Sequence, residues 1–205
     1  MEDATKNAAE RALVKQVQKV ALQTQSHYLI KRKFWSVFER TFRVYTMDGQ
    51  MIMLVQHPVF RLREEFQVYS DEAKTRPILR FKTRQMIAIN FSYDVTDLES
   101  GEHIGTIQKR GLRSLIRDKF KILDPAGEDI GSMEETGASL LRRFLPIMTS
   151  RHEIVLHGRP AAKIRQIFRF FTREFEVSVD PGVGEPRFVL ACAMLALIAE
   201  AGRER

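Results

Sequence analysis

The sequence has a single cysteine, Cys192, so no internal disulfide can form. That residue sits in an apolar run, where a buried thiol in a reducing compartment is the expectation. Long hydrophobic stretches are also scarce. The one extended run, Phe188 to Ala199 (FVLACAMLALIA), has twelve residues where a membrane-crossing helix needs about 20. Charges are scattered through Met1 to Gln25 with no apolar stretch of secretory-signal length, so the chain is expected to be cytoplasmic.

Signatures of catalysis are missing too. The five histidines, His27, His57, His103, His152 and His157, contain no i, i+4 pair and no neighbouring cysteine, which argues against zinc. There is no phosphate-binding glycine loop, dinucleotide fingerprint or nucleophile elbow. The adjacent acids Glu64-Glu65 and Glu134-Glu135 would point to opposite faces of a strand and make poor carboxylate dyads. No cofactor or metal is expected, and the chain reads as a non-enzyme.

What is present suffices for a sizeable core: 205 residues, 44% hydrophobic and 29% charged. Lys plus Arg number 33 against 26 Asp plus Glu, and the net charge of +7 favours polyanionic partners. The excess is uneven. Lys31 to Arg43 holds five bases against Glu39, Lys109 to Lys121 six against Asp118, and Arg142 to Arg173 eight against Glu153.

Along the chain, Ala9, Leu13, Val17, Val20 and Ala21 recur at spacings of three and four, which predicts an amphipathic helix within residues 1–26. From Tyr28 the period becomes two. Phe175, Val177 and Val179 alternate with Glu174, Glu176 and Ser178, and a continuous strand over 86–97 is expected from Ile87, Ile89, Phe91, Tyr93 and Val95. Asp48-Gly49, Glu99-Ser100-Gly101 and Pro125-Ala126-Gly127 supply hairpin turns. About twelve strands result, and so many in one sheet favour closure, which removes unpaired edges. A barrel that wide needs a filler, and the all-round apolar C-terminal run fits that role. The expected fold is mainly β. Residues 27–205 form a closed antiparallel barrel of about twelve strands around a buried hydrophobic C-terminal helix, preceded by the N-terminal amphipathic helix.

The segments Tyr28-Leu-Ile-Lys-Arg-Lys-Phe, Phe42-Arg-Val-Tyr-Thr-Met-Asp-Gly, Phe66-Gln-Val-Tyr, Tyr93-Asp-Val-Thr-Asp and Phe120-Lys-Ile-Leu-Asp-Pro-Ala-Gly, followed by one hydrophobic helix, carry a resemblance. In order and spacing they resemble the tubby-like C-terminal superfamily, and within it the LURP-one-related proteins and phospholipid scramblases, over residues 28 to 201. The resemblance implies a twelve-stranded barrel around a central helix. For the tubby proteins it further implies phosphoinositide binding through surface bases. Scramblase-type calcium control would need an acid-rich segment before the helix. Here Asp180 to Glu185 holds two acids and no EF-hand pattern, so that property does not carry over.

Arg80, Lys82 and Arg84 are the best-placed candidates for a lipid headgroup, since residues two apart share a strand face and span about 14 Å. Lys109, Arg110 and Arg113 form a second group, where a strand leads into a short helix. Lys31, Lys33 and Trp35 interleave bases with an indole suited to a membrane interface. The bland alternative for each is a solvated outer face. Two partner classes stay open: an anionic phospholipid surface, with the protein peripheral on the inner membrane face, or a scaffold role in which the N-terminal helix engages a protein or a second copy. Nucleic acid is disfavoured, because aromatic platforms and a binding motif are missing.

Overall fold

The computed structural model describes residues 25–33, 39–58, 65–87, 90–109, 119–136, 149–169 and 171–203. The expected N-terminal helix therefore lies outside the described residues. Twelve strands are seen among them: β1 (His27–Lys33), β2 (Glu39–Thr46), β3 (Met51–Pro58), β4 (Glu65–Tyr69), β5 (Pro77–Ile87), β6 (Asn90–Asp97), β7 (His103–Lys109), β8 (Lys119–Leu123), β9 (Asp129–Glu135), β10 (Arg151–Leu156), β11 (Arg159–Ile167) and β12 (Thr172–Val179). One helix, α1 (Pro186–Arg203), follows.

Every strand pairs antiparallel with its sequence neighbours, and β1 pairs with β12 from His27↔Ser178 to Lys33↔Thr172. This last ladder closes the barrel and leaves no open edge. The period of two sorts the side chains. Tyr28 and Ile30, Phe42 and Val44, Leu79 and Phe81, and Phe175, Val177 and Val179 point inward and are buried. On β4 to β6, Phe66 stacks on Phe81 with ring centroids 4.6 Å apart, and Tyr93 meets Phe66 edge-on at 5.5 Å. Burial raises the phenol pKa of Tyr28 to about 12, assisted by the charge of Glu185.

One expected strand divides. The run 86–97 is interrupted, because Ile87 ends β5 and pairs with Asn90 at the start of β6. No glycine or proline punctuates the sequence at that point, so the apolar alternation reads straight through the reversal.

Helix α1 fills the lumen. Its 18 residues span about 27 Å at 1.5 Å per residue, and every side chain from Phe188 to Ala199 is buried. Pro186 opens the helix with a fixed φ, and the Glu185 carboxylate accepts the backbone N–H of Phe188 at 2.6 Å, satisfying a donor that the first turn leaves over. The ring of Phe188 approaches β7 so closely that a Cβ on Gly105 would lie 2.4 Å from its Cζ. The strand must be bare there.

The two barrel ends differ. At the entry end lie the turns from even to odd strands and the start of α1, where Arg187 donates to Asp97 at 2.6 Å and to Glu99 at 3.2 Å. At the far end the odd strands finish and the even strands begin. There the end of α1 is tied by Glu200, whose carboxylate is 2.9 Å from His152 Nε2 at the start of β10.

Candidate functional site

The geometry of β5 is set by its neighbours. Leu79 and Phe81 turn into the core, which sends Arg80 and Lys82 to the outer face. Lys82 is exposed and lies opposite Glu65 of β4 and Asp94 of β6. Arg80 is half-buried between Gln67 and Thr96, and its Nε is shielded from water without a hydrogen bond. The pairing register slips between Thr83 and Gln85, so Arg84 occupies a bulge. A bulge re-aims its side chain, and Arg84 leans across to Asp94, with Nε–Oδ2 at 3.0 Å. The three expected cations thus share one outer surface, where Asp94 pairs with Arg84 and Glu65 lies across from Lys82. The Arg84–Asp94 pair is solvent-exposed and contributes about 0–1 kcal/mol.

The other expected residues do not join this group. Lys31 is on the outer face of β1, with its ammonium 5.4 Å from the Tyr45 ring centroid and Glu174 and Arg43 as cross-strand neighbours. Lys109 is buried, 8% exposed, with its ammonium 5.5 Å from the centroid of the Phe120 ring. It shares the inward parity of Ile107, the signal in the sequence that places it inside. The backbone of Lys33 pairs with Thr172 at the end of β1. Trp35, Arg110 and Arg113 lie outside the described residues.

Sequence reasoning missed a second cationic surface. Arg151 of β10 stands directly opposite Arg165 of β11, and Glu153 opposite Lys163. A groove of about 640 Å³ runs over these side chains and over Glu176 and Ser178 of β12, with Arg165 held by Glu176 at 2.7 Å. The bases were visible in the sequence as a run, but their adjacency comes from strand pairing. At the entry end a cleft of about 890 Å³ is lined by Asp97, Glu99, Glu102, His103, Glu185 and Arg187 among others. There Arg187 already answers Asp97 and Glu99.

A sequence profile of the LURP-one-related family matches residues 26–196. The chain belongs to the LURP-one-related family. The match spans the barrel from β1 into α1, in agreement with the closed twelve-stranded sheet and single C-terminal helix described above. Among solved structures, the X-ray structure of a protein from Arabidopsis thaliana is similar at 13% identity and a TM-score of 0.49, covering 86% of this chain and 92% of that one. None of the curated proteins matches the sequence. No helix among the described residues of this LURP-one-related chain is long and apolar enough to cross a membrane.

Proposed function

We propose that this LURP-one-related barrel is a non-enzymatic module that docks on anionic phospholipid or phosphoinositide headgroups at the inner membrane face. The observation that carries the reading is the outer face of β5, where Arg80, Lys82 and Arg84 lie side by side on a rigid, closed sheet. A rigid sheet holds the cations in place, so binding costs little ordering. The net charge of +7 draws the chain toward a negatively charged leaflet, where each base near the surface contributes about 1 kcal/mol. Because Glu65 and Asp94 offset part of the ladder, binding should be moderate and sensitive to salt.

The test is co-sedimentation with phosphatidylcholine vesicles, with and without phosphatidylserine or a phosphoinositide, across a salt series. The expected outcome is retention on anionic vesicles only, fading with salt. Changing Arg80, Lys82 and Arg84 together to Gln should weaken it about 30- to 160-fold, from two to three bases at the energy above. Equal retention of wild type and a folded triple variant would remove the ladder from the site. Failure of the wild type to bind any vesicle would refute the function.

A further inference from the structure

The groove over β10, β11 and β12 faces away from the β5 ladder. In the closed ring of strands, β11 lies six steps from β5 in either direction. A flat bilayer set against Arg80, Lys82 and Arg84 therefore leaves β11 turned to the opposite side. The two cationic faces are separate surfaces, and one membrane cannot occupy both.

Strand pairing assembles the second face. Arg151 of β10 stands directly opposite Arg165 of β11, and Lys163 lies two residues along β11 on the same outer side. Neighbouring strands are about 4.8 Å apart and alternate residues about 6.7 Å, so the three bases spring from the corners of a small triangle. Like charges directly opposite each other are destabilising, and a closed sheet cannot part the strands that carry them. Glu176 answers Arg165 at 2.7 Å, which steadies that guanidinium and leaves its other nitrogens free to donate. Arg151 and Lys163 are exposed and form no ion pair with a described residue. A like-charged pair kept without a structural return is the mark of a binding surface.

The rest of the lining selects the ligand. Hydroxyls of Thr136 and Ser178 border the groove, and Ser178 Oγ lies 3.2 Å from His27 Nδ1 of β1. Guanidinium forks, an ammonium and hydroxyls are the donor set that phosphate oxygens accept. Glu153 and Glu176 line the same groove. These carboxylates repel an extended polyanion, such as nucleic acid or an anionic leaflet, while a compact anion can sit against the two arginines. The volume of about 640 Å³ falls within the range of about 300–1,000 Å³ usual for small-molecule sites.

We propose that the β10–β12 groove binds a small soluble phosphate ester or diphosphate, whose oxygens bridge Arg151 and Arg165 with Lys163 alongside. This goes beyond the headgroup reading and does not depend on it. With a membrane against β5 and this ligand against β11, the barrel holds both at once.

The experiment is calorimetric titration of the full chain with inorganic pyrophosphate, joined to co-sedimentation with phosphatidylserine-containing vesicles to separate a soluble source of phosphate from a lipid one. Saturable one-to-one binding of pyrophosphate is expected. Arg151→Gln should weaken it about ten-fold and Lys163→Gln by a similar factor, the low end for hydrogen bonds to a charged group. Glu153→Gln removes a repelling carboxylate and should tighten it. Arg151→Gln should melt no lower than wild type, since it relieves the like-charged pair. The variant with both Arg151→Gln and Lys163→Gln should sediment with vesicles as wild type does, because those bases stand more than a Debye length of about 8–10 Å from the bilayer. No pyrophosphate binding, or equal binding by the folded double variant, overturns the site. Loss of vesicle retention in that variant assigns the groove to the lipid surface and overturns the soluble ligand. If the wild type binds pyrophosphate and no vesicle, the headgroup reading falls and the groove stands.

Discussion

The tie between His152 and Glu200 makes the sharpest energetic prediction. The two side chains are 0% and 3% exposed and 2.9 Å apart, and they fasten the last turn of α1 to the first residues of β10. A carboxylate in such a place has lost its water, and the contact to His152 Nε2 returns part of that loss. Removing one partner of a buried pair costs about 3–5 kcal/mol, because the other stays buried with less to offset its desolvation. His152→Leu and Glu200→Leu should therefore each lose about that amount, against a total domain stability of about 5–15 kcal/mol. At about 2–4 °C per kcal/mol for a chain of this size, either variant should melt about 6–20 °C lower. The double variant removes both desolvation costs at once and should be more stable than either single one, within about 1 kcal/mol of wild type. Urea denaturation of the four proteins at neutral pH measures the cycle. Losses that add to within about 0.5 kcal/mol would mean that the two groups are energetically independent, and the reasoning would be wrong.

Three further outcomes follow from the same geometry. Gly131→Ala would bring a Cβ to 2.0 Å from the Val155 carbonyl oxygen, a backbone atom that cannot swing away, so thermal melting should show a loss of about 3 kcal/mol or more. Asp71 is pushed up by burial, but hydrogen bonds from the Thr75 and Arg76 backbone N–H groups and the Thr75 hydroxyl outweigh this and hold its carboxyl below the usual 3.8. Its contribution is thus present above the unfolded value and is lost as pH falls through the lower folded one. The stability gap between wild type and Asp71→Asn should be constant near neutrality and close below about pH 4; a gap that persists there would contradict the assignment. Burial pushes the Cys192 thiol well up, so a thiol reagent at pH 8 should react slowly with native protein and rapidly in urea; fast native labelling would mean that α1 is not enclosed.

Much of the barrel was legible in the sequence because strands and helices announce themselves by period. The alternation at Tyr28 and Ile30 or at Phe175, Val177 and Val179 requires one buried face whatever it packs against. The twelve apolar residues from Phe188 have no polar side and can only be enclosed. The shared face of Arg80 and Lys82 follows from the same count of two. Parity misled only where it was not applied or where the chain turns without turn residues, as at Lys109, which Ile107 already placed inside, and at the reversal after Ile87.

The sequence alone therefore determined the strand positions, the central helix and the inward or outward sense of most side chains, since these depend on residues within one or two positions of each other. Only the tertiary structure decided which charges meet. His152 and Glu200 are 48 residues apart and Arg187 and Asp97 are 90 apart. The bulge that turns Arg84 onto Asp94 and the register that stacks Arg151 against Arg165 arise from pairing. So does the closure of β1 on β12. Such contacts depend on register and closure across the whole barrel, which no local pattern encodes. Whether a base is available to a ligand is decided by those neighbours.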